Sequence, residues 1–194
     1  MNYVGLITVR TSSSRLKNKC LLNIGKFTKV IEHVILRCLG SGIKPILCTT
    51  EKKSDDILIE ISQKLGINYF RGSELDVLGR FHLAACTANA DIIVRITGDC
   101  PIVDAKVVDE VISLFLENNL DYVSNIDPPS FPDGLDVEVF SKSSLDLVNL
   151  KATDPFDREH VTPFIRNGNF KKMNLFNVEN LADIRLTLDE EEDL

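Results

Sequence analysis

"VIEHVILRCLGSGIKPILCTT", residues 30 to 50, holds a helix, its stop and a strand in one stretch. VIEHVILRCL (30–39) carries the apolar spacing of an amphipathic helix. Gly40 and Gly42 follow where a left-handed C-cap is wanted. PILCTT (45–50) then reads as a short strand without a polar face. Upstream, YVGLITV (3–9) is another such run. Downstream the alternation continues through DDILIEISQKLG (55–66, closed by Gly66), INYF (67–70), VLGRFHLAACTA (77–88), DIIVRIT (91–97), DAKVVDEVISLFLENN (104–119) and LDYVSN (120–125). Strands apolar on both faces, separated by helical patterns, are expected in a parallel sheet covered on each side. The fold class is therefore α/β, a Rossmann-like, mostly parallel sheet with helices on both faces.

The regular alternation stops near residue 126. IDPPSFPDG packs three prolines and a glycine into a loop too stiff for a sheet interior. LDVEVF (135–140) resumes as an alternating strand, followed by helical stretches around SSLDLVNL (143–150) and DREHVTPFIR (157–166). Two short strands are then expected, KMNLFNV (172–178) and IRLTL (184–188). Asp189 has the character of an N-cap with acids in the first turn, though few residues remain for a helix, so the chain reads as clipped there. No repeat, linker or low-complexity block interrupts 1–194, which reads as one domain.

The chain has 194 residues, 44% hydrophobic and 26% charged, with a net charge of −7. A chain of this length buries about 70% of its unfolded surface and needs no metal or disulfide to fold. The acidic balance argues against nucleic acid and anionic membranes as partners, so any anion site must be local. Five cysteines (Cys20, Cys38, Cys48, Cys86, Cys100) without a C-x-x-C pair read as small buried hydrophobes in a reducing compartment. The N-terminus lacks a basic leader, and no run approaches a membrane span. The expected location is cytoplasmic.

One basic stretch departs from the acidic background. VRTSSSRLKNKCLLNIG (9–25) follows the first strand, and in an open α/β sheet that loop lies at the ligand-binding edge. Arg10, Arg15, Lys17 and Lys19 are close enough to converge on a polyanion. Ser12, Ser13 and Ser14 add hydroxyl and backbone donors. A Walker-A loop is excluded, because G-x-x-x-x-G-K-[ST] is absent, and GxGxxG is absent too. By composition alone, a solvated basic loop explains the stretch equally well.

Read as R-x-x-S-x-R-L-x-x-K, with Arg10, Ser13, Arg15, Leu16 and Lys19, the loop resembles the signature of the CMP-sugar synthetases, notably those for KDO and the sialic acids. It is more similar still to the cytidylyltransferases named for spore-coat polysaccharide biosynthesis. RGSELDVLGRF (71–81), VRITGDCPIVD (94–104), PDGLDVEVFS (132–141), REHVTPFIR (158–166) and RLTLDEEEDL (185–194) match that group in order, so the resemblance spans essentially the whole chain. Lys17 and Glu191 stand where relatives often carry proline.

RITGDCP ends a strand at Gly98 and Asp99, which holds a carboxylate at the ligand edge. Mg²⁺ takes oxygen ligands and is usually held by one or two carboxylates plus substrate phosphates. A helix-capping Asp is the plain alternative. The resemblance implies that Asp99 is the first Mg²⁺ ligand and Asp189 the second, which requires both to reach one rim of the sheet. It also makes the region from Asn125 to residue 166 the acceptor-sugar side. There Asp133 and Gly134 sit on the loop, Asp136 and Glu138 share one strand face, and His160 follows in REHVT. A half-exposed strand would show the same alternation. Thr49 and Thr50, closing the second strand, are candidates for reading the base, with strand propensity as the plain alternative; Arg71 and Arg80 flank a matching motif and are candidates for holding phosphate, with a solvated arginine as the alternative for each; Arg95, beside Thr97, is a candidate for orienting Asp99 by pairing, and His33 and His82 read as packing residues. The resemblance implies cytidylyl transfer from CTP to an acidic or phosphorylated sugar with loss of pyrophosphate, assisted by Arg10, Arg15, Lys19 and Asp99, in a homodimer. A sugar-1-phosphate nucleotidyltransferase using another NTP, or a non-catalytic nucleotide-binding module, stays open.

Overall fold

The computed structural model describes residues 1–13, 15–25 and 28–193. Its elements run β1 (Tyr3–Thr8), a small hairpin of β2 (Asn23–Ile24) and β3 (Thr28–Lys29), α1 (Val30–Gly40), β4 (Lys44–Thr50) and α2 (Asp56–Lys64). They continue with β5 (Asn68–Gly72), α3 (Val77–Thr87), β6 (Ile92–Thr97), α4 (Ala105–Glu117), β7 (Tyr122–Ser124) and β8 (Glu138–Ser141). Last come α5 (Lys142–Lys151), α6 (Pro155–His160), α7 (Pro163–Asn167) and β9 (Lys172–Asn174).

Seven strands form one sheet in the order β5-β4-β1-β6-β8-β7-β9. β5, β4, β1 and β6 are mutually parallel, while β8 runs antiparallel between β6 and β7. The chain leaves β1 toward β4 on one side and returns to β6 on the other. That reversal opens a crevice at the carboxyl ends of β1 and β6, where ligands bind in such sheets. The sheet is apolar on both faces, as its sequence requires. Ile7, Leu47 and Ile96 pack under α1, α2 and α4 with Ile35, Leu58 and Val111. Leu6, Cys48 and Ile93 point the other way, onto Phe81 of α3 and Leu145 of α5. No described helix is long and apolar enough to cross a membrane.

Several sequence expectations change; the strand expected over 172–178 ends at Asn174. No ladder forms over 184–188; one bridge joins Arg185 to Asp133, while Leu188 N–H donates to the Asp99 carbonyl at 2.9 Å. The strand expected over 135–140 begins only at Glu138, because the Asn125 side chain replaces ladder bonds. Its amide donates to Leu135 O and accepts from Val137 N–H, both at 2.8 Å. The helix expected over 157–166 splits at Val161, whose φ is 71°. Pro163 cannot donate to the preceding turn and opens α7 instead.

Candidate active site

The crevice is a cavity of about 310 Å³. The basic loop supplies Arg10, Ser12, Ser13, Arg15 and Lys19; β6 and its turn supply Arg95, Thr97, Gly98 and Asp99; α3 supplies Val77 and Arg80; α6 supplies Glu159 and His160. Ser14, expected among the donors, lies outside the described residues. Lys17 is exposed and lines not the crevice but an adjoining outer depression, which it shares with Arg10, Ser12, Ser13 and Glu74.

Two glycines let the rim close. A Cβ on Gly98 would sit 2.8 Å from Val9 Cβ and 2.9 Å from Thr8 O, so only glycine allows the ends of β1 and β6 to approach this closely. Gly134 has φ 105° and would place a Cβ 2.7 Å from the Leu186 backbone. The segment before Asp189 thereby lies along residues 132–134, and its Leu188–Asp99 hydrogen bond sets Asp189 beside Asp99.

The consequence is a compact charge cluster. Lys19 Nζ donates to Asp99 Oδ2 at 2.8 Å and to Asp189 Oδ1 at 2.6 Å, and Arg15 Nη2 reaches the same Asp189 oxygen at 2.9 Å. Burial alone would lower the Lys19 pKa, but Asp99 and Asp189 outweigh it and raise the value. Burial works against the charged form of Asp99 too, and the Lys19 ammonium overcomes it, holding the carboxyl below its usual range. On the outer side, Glu74 accepts from Ser12 Oγ at 2.7 Å and lies 3.6 Å from Arg10 Nη1. Each described cation lining the loop side of the cavity is thus held by an acid that a more highly charged anion can displace.

Asp55 was missed in sequence because a lone Asp opening a helix looks like a cap. It is 1% exposed and accepts from Thr11 N–H at 3.0 Å and from the hydroxyls of Thr11, Thr49 and Thr50. It ties the start of the basic loop to the end of β4. Burial opposes its charge, and the hydrogen bonds from Thr11 and Thr50 still keep its pKa low. Thr49 and Thr50 therefore turn into the protein and do not line the cavity, contrary to a base-reading role. Arg71 is also turned away: its guanidinium binds Asp56 Oδ1 at 2.7 Å and the carbonyls of Thr50 and Lys52.

On the acceptor side the expected residues divide. His160 is exposed at the cavity mouth, its ring 4.4 Å from that of Phe156. Asp133 is exposed, with its backbone bridged to Arg185. Asp136 is partly buried; burial, then Asp133 and Glu138, push its pKa up to about 6. Glu138 does not face a ligand. It is 1% exposed, because β8 lies inside the sheet, and its carboxylate accepts from Arg95 and from Tyr122 Oη, the latter at 2.6 Å. It orients Arg95, which lines the cavity. Asn125, at 1% exposure, is the backbone clamp described above. Four cysteines are buried as expected, whereas Cys86 is exposed. It sits with His82 and Asp146, a grouping that sequence spacing hid, but Lys142 already occupies the Asp146 oxygen that faces His82.

Among these groups, Asp99 and Asp189 have the geometry to hold a hard divalent ion. The Lys19 ammonium marks a point that a carboxylate oxygen from each reaches, and an all-oxygen donor pair suits Mg²⁺.

The chain is similar to known proteins along nearly its whole length. The sequence model of a family described as cytidylyltransferase matches residues 4–193. An uncharacterized protein of Methanocaldococcus jannaschii is 40% identical over 200 residues, covering 97% of this chain and 79% of the relative. The spore coat polysaccharide biosynthesis protein SpsF of Bacillus subtilis is 31% identical over 169 residues, covering 84% and 69%. A solved cytidylyltransferase structure from Leptospira borgpetersenii superposes with a TM-score of 0.96 at 36% identity, covering 100% of this chain and 83% of that one.

Proposed function

Since the chain belongs to the cytidylyltransferase family, we propose that it transfers CMP from CTP to an acidic or phosphorylated sugar, releases pyrophosphate, and serves surface polysaccharide or glycan synthesis. The reading rests on one observation above the others. A cationic loop and two carboxylates distant in sequence meet at one rim, with Lys19 Nζ 2.8 Å from Asp99 and 2.6 Å from Asp189.

In this reading Arg10, Arg15 and Lys19 exchange their carboxylate partners for the β- and γ-phosphates, and Ser12 and Ser13 donate to the same oxygens. Each charge-assisted hydrogen bond contributes roughly 1.5–3 kcal/mol. Asp99 and Asp189 would hold Mg²⁺, and the bound ion would supply Lewis-acid stabilisation of the charge on the transferring phosphoryl group. Arg95, fixed by Glu138, and His160 at the mouth contact the acceptor. Positioning and charge stabilisation suffice for such chemistry, so no activated Ser, Cys or His is required. The protein acts as a homodimer in the cytoplasm.

A thermal-shift screen over the four NTPs with Mg²⁺, followed by a pyrophosphate-release assay against a panel of acidic and phosphorylated sugars, tests the proposal. Selective stabilisation by CTP is expected. Asp99→Asn is expected to lower turnover by about 100-fold or more while the chain stays folded. Stabilisation by another NTP instead of CTP, by none, or near-wild-type turnover in the variant would overturn the reading.

A further inference from the structure

Away from the crevice, α3 and α5 bring three donor groups of mixed chemistry to one point. His82 and Cys86 stand four residues apart on α3, a spacing that stacks them on one face of the helix. Asp146 meets them from the middle of α5. His82 Nε2 lies 2.7 Å from Asp146 Oδ1 and 3.8 Å from Cys86 Sγ, and the three donor atoms all fall within 4.8 Å of one another. None of the three residues lines the crevice or the outer depression beside it, and the transfer chemistry makes no use of them.

A cation already sits among them. Lys142, one turn before Asp146 on α5, pairs with the Asp146 oxygen that faces His82. Burial opposes the charge on Lys142, but Asp146 and then Cys86 outweigh it and raise the pKa, so the ammonium lies against the carboxylate and the thiol together. As at Lys19, it marks a position that several donors reach. Here the donors are sulfur, nitrogen and oxygen, a set that suits a borderline-soft ion such as Zn²⁺. Tetrahedral bonds of about 2.0–2.3 Å place neighbouring donors about 3.3–3.6 Å apart. The Cys86–His82 spacing is close to that, and the His82–Asp146 pair has to open by roughly half an ångström. Cys86 is also the exposed cysteine, the other four being buried, so it is the thiol that an ion in solution can reach.

We propose that His82, Cys86 and Asp146 form a transition-metal site, which takes Zn²⁺ or an ion of similar softness in place of the Lys142 ammonium, with water as the fourth ligand. Binding releases the thiol proton and frees Lys142 to turn into solvent. Surface ion pairs of small worth are thereby exchanged for coordinate bonds that tie α3 to α5. The site is separate from the Asp99–Asp189 pair in place and in chemistry: oxygen donors there suit Mg²⁺, whereas a thiolate here selects against it. It fastens the far half of the helix whose first turns carry Val77 and Arg80 to the crevice. The inference holds whichever nucleotide the crevice binds.

Titration of Co²⁺ into the chain, with excess Mg²⁺ and a phosphine reductant present, provides the test by absorption spectroscopy. The wild type is expected to show a thiolate-to-cobalt charge-transfer band in the near ultraviolet together with the visible bands of a tetrahedral ion, saturating at one equivalent and bleached by Zn²⁺. Cys86→Ser is expected to lose the charge-transfer band. His82→Ala and Asp146→Asn are each expected to weaken binding by about tenfold or more, and Lys142→Gln, with no ammonium to displace, to strengthen it by a similar factor. Saturating Zn²⁺ is expected to raise the melting temperature of the wild type by about 5 °C or more and to leave that of Cys86→Ser unchanged. A wild type without the band, a band that survives in Cys86→Ser, or cobalt affinity unaltered in both His82→Ala and Asp146→Asn would overturn the assignment. So would a Lys142→Gln variant that binds no more tightly than wild type.

Discussion

Replacing Lys19 with methionine separates two effects that most active-site substitutions merge. In the chain as it stands, the ammonium bridges Asp99 and Asp189 at 2.8 and 2.6 Å, and the side chain is 15% exposed. Two charge-assisted hydrogen bonds at roughly 1.5–3 kcal/mol each give a gross loss of about 3–6 kcal/mol. Residual solvent screening and relaxation favour the lower end, and for a chain of this size about 3 kcal/mol corresponds to a melting temperature lower by roughly 6–12 °C. The substitution also leaves two carboxylates facing one another with no cation between them. A divalent ion then no longer has to displace an ammonium, and each 1.4 kcal/mol so released raises affinity about tenfold. Lys19→Met is therefore expected to melt earlier than wild type in EDTA, to bind Mn²⁺ at least about tenfold more tightly, and to turn over CTP about 100-fold or more slowly because a phosphate donor is gone. Calorimetric melting with and without EDTA, and Mn²⁺ titration followed by electron paramagnetic resonance, measure the first two. Unchanged melting in EDTA, or Mn²⁺ binding equal to or weaker than wild type, would show that Lys19 does not occupy the cation position.

Asp136 yields a pH signature. Its folded pKa is raised from 3.8 to about 6, so between about pH 4 and 6 the folded chain keeps a proton that the unfolded chain has released, and stability falls as pH rises through that window. Asp136→Asn is expected to melt like wild type near pH 4 and to be more stable above pH 6, by on the order of 3 kcal/mol; a constant difference across the range would count against the assignment. Asp55→Ala strips the acceptor from the three threonine hydroxyls bound to it, at a cost of about 3 kcal/mol or more. Because the Asp55 pKa is depressed, its contribution is present above the ordinary carboxylate value and disappears as pH falls below it. Denaturant titrations at pH 7 and pH 3 should show the gap between wild type and variant narrowing in acid.

The strands at the centre of the sheet were legible because both faces are covered, so β1, β4 and β6 appear as mainly apolar runs, with Arg95 the charged residue inside β6. The same covering misled at β8. Alternating acids there suggest a wet face, yet Glu138 meets Arg95 and Tyr122 inside the protein. Threonines at a strand end suggest ligand contact, but nothing local reveals that a buried carboxylate a few residues later turns Thr49 and Thr50 inward. The proximity of Asp99 and Asp189 followed from motif resemblance and not from spacing, since it depends on a loop packed through Gly134 and a single backbone hydrogen bond. Arg71 and Arg80 read alike because a sequence does not reveal which way an arginine turns: Arg71 pairs with Asp56 away from the cavity, whereas Arg80 is buried in the cavity wall.

Arg158 of α6 grips Asp76 with Nε at 3.0 Å and Nη2 at 2.9 Å, while Asp76 also caps α3 through Gly79 N–H. The wall bearing His160 and the wall bearing Arg80 are thus clasped together by one acid. Chimeras that import a different 154–167 segment to alter acceptor choice will keep nucleotide binding only if the incoming piece restores a forked donor opposite Asp76; without it, both preferences will drift at once.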